Sequence, residues 1–324
     1  MFSNILLLVV GFVILIAGAD YLVSGSSSIA KKFGVSNLAI GLTVVAFGTS
    51  MPELLVSVQS AAKGLPDAAF GNVIGSNNFN LLFILGLAGI IYPLVVQRNT
   101  VKYEVPLSLL AAGILFILVN EFLGGGEFIL SRFDSVILLL FFGGFLLYIY
   151  RSMKTTSDYG DDNSIKIYKT PIALLMVAGG LAGLVGGANL VVDNAVELAK
   201  GFELSEKLIG LTILAAGTSL PELATSCVAA YKKNTDIAIG NVVGSNIFNI
   251  FFILGVTGVI SPIPYNPALN FDLYVLMGST VLLMIFMFTL NTRKLDRWEA
   301  ALMLVGYIVY TVMLIGIDNG SVKL

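Results

Sequence analysis

The chain contains two long segments that are copies of each other. Residues 18–86 align with residues 187–255 without a gap, and 35 of the 69 aligned positions are identical. Both copies are strongly apolar, yet each carries a glutamate inside a hydrophobic stretch, at Glu53 and Glu222. A fold built on this sequence is therefore expected to have two similar halves, with an unusual polar element in each.

Each copy carries two motifs that combine small, polar and helix-breaking residues. The first motif reads Gly-Thr-Ser-x-Pro-Glu, at positions 48–53 and 217–222. The second reads Gly-Asn-Val-x-Gly-Ser-Asn-x-Phe-Asn, at positions 71–80 and 240–249. Polar, glycine-interrupted elements in corresponding places of two apolar repeats are typical of transporters, whose site lies where the repeats meet. The motifs predict a membrane transporter whose site takes residues from both copies.

The composition limits both the solvent and the chemistry. Hydrophobic residues make up 57% of the chain and charged residues 12%, which is too little polar surface for a soluble domain. There is no histidine, and the chain has one cysteine, Cys227. Because zinc, copper and iron sites are built from imidazole and thiolate, any metal handled here must be a hard one such as Na⁺, K⁺, Ca²⁺ or Mg²⁺. No cofactor and no nucleic-acid partner are expected.

Apolar segments long enough to cross a bilayer divide into five in each half. They lie near residues 4–30, 37–62, 68–92, 103–120 and 133–150, and then near 171–199, 207–231, 237–260, 271–290 and 298–317. Since each repeat has an odd number of spans, the second copy must cross the membrane in the opposite direction. The predicted fold is an all-α polytopic membrane protein with ten transmembrane helices, arranged as two inverted five-helix repeats with broken core helices. The predicted domains are residues 1–151 and 170–324, joined by a cytoplasmic linker at 152–169.

The basic residues predict the orientation. If the N-terminus is outside, 13 of the 18 Lys and Arg residues fall in cytoplasmic loops and five fall outside. The positive-inside rule therefore predicts a multi-pass protein of the cell membrane with both termini extracellular. We expect it to function as a monomer in the lipid bilayer.

Glu53 and Glu222 lie where hydrocarbon disfavours a charge. A carboxylate at this depth must face a cavity, a partner or an ion. Ser50-x-x-Glu53 and Ser219-x-x-Glu222 also fit a capping box, in which the glutamate bonds backbone N–H groups at a helix start. Because both glutamates lie near the middle of a span, contact with a cation is the favoured interpretation, and it is compatible with capping.

Pro52 and Pro221 interrupt the helices just before these glutamates, because proline cannot donate to the preceding turn. We expect this to leave free the carbonyls of that turn, including those of Ala46 and Ala215. Unpaired backbone at membrane depth is tolerated where it lines a cavity or an ion site. The glycines of the second motif are explained equally well by close helix packing.

The side chains around the glutamates supply only hard oxygen ligands. They belong to Glu53, Glu222, Thr49, Ser50, Thr218, Ser219, Ser76, Ser245, Asn80 and Asn249. Ca²⁺ takes about six to eight oxygens, which this set can provide. The two carboxylates would neutralise one Ca²⁺, whereas about three Na⁺ in the same place would leave one positive charge, so exchange between these loadings would respond to voltage.

The paired motifs resemble the two α-repeats of Na⁺/Ca²⁺ exchangers in the Ca²⁺:cation antiporter superfamily, in the prokaryotic form without a large cytoplasmic regulatory domain. The resemblance implies secondary active antiport of Na⁺ against Ca²⁺ by alternating access, and no enzymatic activity. It also implies a core made of the second, third, seventh and eighth helices, past which the long first and sixth helices slide.

The resemblance assigns roles to the motif residues. Glu53 and Glu222 would be the central Ca²⁺ ligands, together with the carbonyls of Thr49 and Thr218. The flanking Na⁺ sites would be completed by Ser50, Ser76, Ser219, Ser245 and the carbonyls of Ala46 and Ala215. Asn80 and Asn249 would lie beside the central position.

Two departures from related patterns bear on ion choice. Some family members have Asp where Asn249 stands, and its absence disfavours K⁺ co-transport. Proton-coupled relatives resemble a Gly-Asn-x-x-Glu pattern, which neither Gly71-Asn72 nor Gly240-Asn241 continues. An antiporter that is coupled to protons or that moves another divalent cation remains the alternative. A passive channel and an intramembrane enzyme are disfavoured, since the inverted repeat suits alternating access and no histidine or reactive cysteine is present.

The other acidic residues are expected to have lesser roles. Asp20, Asp193 and Glu197 are predicted to be peripheral or structural. Asp67 and Asp236 are predicted to act at helix starts, where a negative charge is favourable.

Overall fold

The computed structural model describes residues 2–120, 128–153, 166–201, 215–289 and 293–318. Most of these residues are helical. The helices of the first half are α1 (Phe2–Phe33), α2 (Asn37–Thr49), α3 (Met51–Ala62), α4 (Pro66–Ile91), α5 (Thr100–Val119) and α6 (Arg132–Met153). Those of the second half are α7 (Thr170–Gly201), α8 (Ala215–Gly217), α9 (Leu220–Tyr231), α10 (Thr235–Ile260), α11 (Asn270–Phe286) and α12 (Arg297–Asp318).

The predicted polytopic all-α class is confirmed. Within the described ranges, eight helices are long and apolar enough to cross a membrane, and α2 and α3, which meet at a bend of 46°, make a ninth span. The predicted seventh span, near 207–231, begins in residues outside the described ranges. A total of ten spans therefore stays a prediction.

The two halves repeat the same helix irregularities. α2 ends at Thr49, and a proline lies in the first turn of α3; Pro221 stands in the same place in α9. α4 and α10 contain π-helical stretches at Phe79–Ile84 and Phe248–Leu254. Since proline removes an N–H donor, the helix restarts after it at a new angle. The predicted breaks in the core helices are present at both described positions.

Glycines hold α1 and α7 together as an antiparallel pair. A Cβ on Gly18 would lie 2.8 Å from the carbonyl oxygen of Gly180, and one on Gly187 would lie 2.7 Å from the amide of Leu15. Only glycine permits backbones to approach this closely, which is how small residues drive helix association in membranes. The two longest helices, each of 32 residues, thus pack as one unit.

Two short antiparallel ribbons mark the opposite ends of the helices. β1 (Leu94–Val95) pairs with β4 (Lys294–Leu295), and β2 (Ile129–Leu130) pairs with β3 (Ile263–Pro264). β1 and β4 lie between helix ends on the side where α1 ends and α7 begins, which we call the linker side. β2 and β3 lie on the side of Phe2 and Asp318, which we call the termini side.

Candidate ion-binding site

The helix breaks place both glutamates in the first turn of a helix at the centre of the molecule. Ser50 stands between α2 and α3 with φ −84° and ψ 7°, and Ser219 precedes α9 with φ −91° and ψ 7°. Glu53 and Glu222 follow three residues later, and each is 1% exposed. The local geometry of the two repeats is therefore the same at the residues that matter most.

Serine hydroxyls at the breaks cross from one repeat to the glutamate of the other. Ser50 Oγ donates to Glu222 Oε1 at 2.8 Å, and Ser219 Oγ donates to Glu53 Oε1 at 3.0 Å. Neither serine side chain caps its own helix. The capping-box interpretation is therefore wrong for these serines, because their hydroxyls serve the opposite repeat.

A second serine completes a cluster on each side. Ser50 Oγ lies 3.0 Å from Ser245 Oγ, and Ser219 Oγ lies 3.0 Å from Ser76 Oγ. We call the resulting groups the flanking clusters: one contains Glu222, Ser50 and Ser245, and the other contains Glu53, Ser219 and Ser76. Each presents one carboxylate oxygen and two hydroxyl oxygens in a buried place.

Two asparagines that were not assigned a role from the sequence hold the glutamate helices. Asn72 Nδ2 donates to the carbonyl of Glu53 at 3.1 Å, and Asn241 Nδ2 donates to the carbonyl of Glu222 at 3.3 Å. The sequence carries a signal for them, since both stand at the second position of the duplicated Gly-Asn motif. They fix the backbone that carries each carboxylate.

The same asparagines bind the threonines of the opposite repeat. Thr49 Oγ1 lies 3.1 Å from Asn241 Oδ1, and Thr218 Oγ1 lies 3.4 Å from Asn72 Oδ1. The threonine hydroxyls are thus engaged in holding the repeats together. This leaves their carbonyls as the groups that could ligate an ion.

Four further asparagines join the repeats at the middle of α4 and α10. Asn80 Nδ2 donates to Asn246 Oδ1 at 3.0 Å, and Asn249 Nδ2 donates to Asn77 Oδ1 at 2.9 Å. Asn77 and Asn246 also donate to each other's backbone carbonyls, both at 3.3 Å. Because the amide nitrogens are used in these bonds, the oxygens of Asn80 and Asn249 are oriented by them.

Four buried acceptors around this centre have no hydrogen-bond partner in the described part of the chain. They are Oε2 of Glu53, Oε2 of Glu222, Oδ1 of Asn80 and Oδ1 of Asn249. Each occurs with its copy from the other repeat. A buried acceptor without a donor is costly, and a buried carboxylate more so. The ion pairs of the described residues do not involve either glutamate.

The residues present fit a hard cation. All the unpaired atoms are oxygens that accept and cannot donate while the carboxylates are ionised. Carboxylate, amide and hydroxyl oxygens are the ligands that Ca²⁺ and Na⁺ prefer, and the two glutamates supply a formal charge of −2. Cations bound here would supply the positive partners that these acceptors lack among the described residues.

Comparison with known proteins agrees with this geometry. The family model described as "Sodium/calcium exchanger protein" matches residues 3–151 and 172–316. The chain belongs to the sodium/calcium exchanger family. The match divides at the predicted linker, and the family is one of transporters rather than enzymes.

Relatives of the exchanger chain cover nearly its whole length. It is 38% identical over 318 residues to "Putative antiporter CaxA" of Alkalimonas amylolytica, with 94% of this chain and 96% of the relative covered. It is 32% identical over 345 residues to "Sodium/calcium exchanger MaX1" of Methanosarcina acetivorans, with 96% and 98% covered. The predicted family resemblance is confirmed.

A solved structure has the same fold. The sodium-calcium exchanger NCX_Mj, soaked with zero Na⁺ and Ca²⁺, is 35% identical to this exchanger chain, with a TM-score of 0.80 and with 96% of this chain and 98% of that chain covered. The structure of NCX_Mj is described in terms of extracellular ion exchange and occlusion of the binding site. The membrane exchanger fold of the present chain follows from this match.

One predicted detail of the exchanger site is wrong. The carbonyl of Ala46 is not free, because it accepts the Ser50 amide at 3.0 Å and lies 3.3 Å from Thr49 Oγ1. The carbonyl that loses its donor to Pro52 is four residues back, at Gly48, since proline removes the bond to position i−4. Ligation of an ion by Ala46 would require the Thr49 hydroxyl to turn away. A role for Ala215, the copy of Ala46, stays a prediction.

A large cavity connects the site to the termini side. It has a volume of about 1000 Å³ and runs between α3 and α4 on one wall and α7 on another. Its lining includes Asn72, Ser76 and Thr218, so it reaches residues of the candidate site. A second cavity, of about 800 Å³, lies on the linker side and is lined by none of the candidate ligands. In this arrangement of the described residues, the site communicates with the termini side.

The remaining acidic residues lie away from the site. Asp67 and Asp236 are in the first turns of α4 and α10, as predicted. Asp20 pairs with Lys232, and Glu197 with Lys200. Asp193, predicted to be peripheral, lies on the wall of the termini-side cavity.

Two carboxylates outside the site bind tyrosines of a neighbouring helix. Glu104 on α5 accepts from the hydroxyl of Tyr148 on α6. Asp272 on α11 accepts from the hydroxyl of Tyr310 on α12, and Asn78 on α4 donates to the carbonyl of Asp272 at 3.0 Å. These bonds tie the outer helices of each half together.

Proposed function

We propose that this protein is a Na⁺/Ca²⁺ antiporter of the cell membrane. It exchanges about three Na⁺ for each Ca²⁺ by alternating access, acts as a monomer and has both termini outside. The observation that carries the proposal is a set of four buried oxygens, of Glu53, Glu222, Asn80 and Asn249, that have no hydrogen-bond donor among the described residues. All four side chains bond across the interface of the two repeats.

The two types of ion would use different parts of the site. The Oε2 atoms of Glu53 and Glu222, with the carbonyls of Thr49 and Thr218, form the central position for Ca²⁺. The two flanking clusters each offer a carboxylate oxygen and two hydroxyls, a set that suits Na⁺. Because the same carboxylates belong to both positions, Ca²⁺ and Na⁺ compete for one charge of −2. This competition is what couples the two fluxes.

The charge balance makes the exchange electrogenic. One Ca²⁺ neutralises the two glutamates, whereas about three Na⁺ exceed their charge by one. A voltage across the membrane then acts on the cycle by about 2.3 kcal/mol per 100 mV for each charge moved. The direction and the rate of Na⁺/Ca²⁺ exchange therefore depend on the membrane potential as well as on the Na⁺ gradient.

Uptake of radioactive Ca²⁺ into proteoliposomes loaded with Na⁺ tests the function. We expect uptake to require internal Na⁺ and to be faster when valinomycin and K⁺ make the interior positive, since net positive charge leaves with the Na⁺. Liposomes without protein, and protein-containing liposomes with choline inside, are the controls.

Three other results would each point elsewhere. Uptake that is driven by a pH gradient and ignores Na⁺ would support a proton-coupled antiporter. Uptake of Mg²⁺ in place of Ca²⁺ would change the substrate. Flux that continues without any counter-ion would support a channel.

A further inference from the structure

A polar contact between two parts of the molecule is made on the linker side and is absent from its copy on the termini side. Lys232, in the turn between α9 and α10, bonds to Asp20 Oδ1 at 2.6 Å and to Ser24 Oγ at 2.7 Å. Asp20 and Ser24 lie one turn apart on α1, which packs against α9 here. We call this contact the linker-side latch.

The turn between α3 and α4 has the same backbone as the turn that carries Lys232. Lys63, the copy of Lys232, has φ −86° and ψ 1°, against −76° and 2° for Lys232. The next residues, Gly64 and Lys233, have φ of +73° and +61°. In both turns, three successive amides donate to carbonyls four, three and five residues back. The Lys63 side chain therefore leaves its turn from the same place as that of Lys232.

The acceptors are also copied, with their order exchanged. Asn189 and Asp193 on α7 align with Asp20 and Ser24 on α1. Each pair consists of one carboxylate and one neutral polar residue, spaced four positions apart on one helix face. Lys63 thus has available on α7 the same kind of partner that Lys232 has on α1.

In this structure the copied partners are separated by the open cavity. Asn189 and Asp193 line the wall formed by α7, and Gln59, one turn before Lys63, lines the wall formed by α3. Lys63 and Asp193 are both exposed and form no ion pair with each other. The cavity on the linker side is lined by Ser24 and Lys232 but by none of the candidate ligands. The asymmetry between the two halves therefore lies in which side connects to the site.

We propose that Lys63 and Asp193 are residues of the transport cycle, which form an ion pair when the cavity closes on the termini side. Asn189 is then the second acceptor for Lys63. This inference rests on the alternating access in the proposed function. In an inverted repeat, the two halves exchange conformations between the two states, because a pseudo-two-fold rotation axis in the membrane plane relates one state to the other. α7 then packs on the α3–α4 turn as α1 now packs on the α9–α10 turn, and the linker-side latch opens.

The two latches stabilise opposite states. Loss of the Lys63–Asp193 pair is expected to shift the population towards the state open on the termini side, and loss of the Lys232–Asp20 pair is expected to shift it the other way. Since both pairs are exposed to water, each shift is about two- to fivefold.

Disulfide-length cross-linking tests whether the contact forms. In a Cys227→Ser background, Lys63→Cys with Asp193→Cys is treated with a short bifunctional thiosulfonate in proteoliposomes, and Lys232→Cys with Asp20→Cys is treated in parallel. We expect both pairs to cross-link and each cross-link to stop exchange. A protein with all four substitutions is expected to acquire one cross-link or the other, never both. Lys63→Cys with Lys200→Cys, two turns farther along α7, is the control and is expected to give no product.

Charge exchange tests whether the pairing matters. Lys63→Asp alone is expected to slow Na⁺-driven Ca²⁺ uptake, and adding Asp193→Lys is expected to restore it, while a residue that only supports the fold would show no such rescue. The proposal is overturned if the cysteines at positions 63 and 193 fail to cross-link in a preparation that exchanges ions, or if both cross-links form in one molecule. It is also overturned if Lys63→Asp with Asp193→Lys loses as much uptake as the two single variants lose in combination. Absence of Na⁺-driven uptake in the unmodified protein would instead refute the proposed function. The four-cysteine variant would still show, without any transport, whether the two cross-links exclude each other.

Discussion

At the scale of single residues, each glutamate divides its two oxygens between two tasks. One oxygen accepts a hydroxyl from the opposite repeat, and the other has no donor within the described residues. A group held in place by one atom and unsatisfied at the other is a preorganised ligand. Since neighbouring positions are filled by serine and asparagine, the carboxylates supply all the charge of the site.

Replacing either glutamate by glutamine tests this division. Glu53→Gln or Glu222→Gln keeps the size and the serine contact but removes half of the site's charge, so we expect Na⁺-driven Ca²⁺ uptake to fall at least a hundredfold with little loss of thermal stability. Glu104→Gln, a buried carboxylate outside the site, is the matched control and should retain uptake. Substantial exchange in both site variants would refute the assignment.

The asparagines behind the glutamates are expected to act through position. Asn72→Ala or Asn241→Ala removes a bond to the backbone of one glutamate and one to a threonine of the other repeat. Loss of an orienting partner commonly lowers metal affinity by about 10- to 100-fold. We expect the KM for Ca²⁺ to rise by this amount while the maximal rate falls less. An unchanged KM in both variants would show that the glutamates hold their position without these bonds.

At the scale of helices, glycine contacts hold α1 and α7 together. Their backbones approach closely at several levels, so in the proposed transport cycle we expect the two helices to shift as one body rather than to separate. The sequence predicted both helices to within a few residues, because a long apolar run is an unambiguous pattern. It could not predict their pairing, since α1 and α7 are distant in the chain and their glycines also suit a broken helix.

Two adjacent glycines allow a matched test of this packing. A Cβ on Gly180 would lie 2.7 Å from the Leu22 amide, whereas a Cβ on Gly179 would meet nothing within 4 Å. We expect Gly180→Ala to destabilise the protein by about 1–3 kcal/mol through overpacking, and Gly179→Ala to be neutral or slightly stabilising through helix propensity. Thermal unfolding in detergent measures both. Equal melting temperatures for the two variants would contradict the close α1–α7 contact.

At the scale of the whole molecule, one structure holds two nearly identical halves in different surroundings. The duplicated motifs were sufficient to predict that Glu53 and Glu222 lie in one site, because inverted repeats meet at the membrane centre. They could not predict that the cavity opens beside Asn189 rather than beside Asp20, its copy. That difference arises from the packing of α1 and α7 against the rest of the fold. Because the motifs are the same in both repeats, they do not indicate on which side the cavity opens.

The open side and the orientation can be measured together with thiol labelling in intact cells. In a Cys227→Ser background, Asn189→Cys places a thiol on the wall of the termini-side cavity, and Ser24→Cys places one at the position that Lys232 covers on the linker side. If the termini are outside, as the distribution of basic residues predicts, a membrane-impermeant reagent should label the first variant and leave the second unlabelled. Ca²⁺ in the medium should slow the labelling of Asn189→Cys if binding favours closure of the cavity. Labelling of Ser24→Cys alone would mean that the chain is inserted the other way round, and a tag on the C-terminus that is accessible only after permeabilisation would establish this independently. Labelling of neither variant, with the tag accessible in intact cells, would mean that the chain rests in the state that is closed on the termini side.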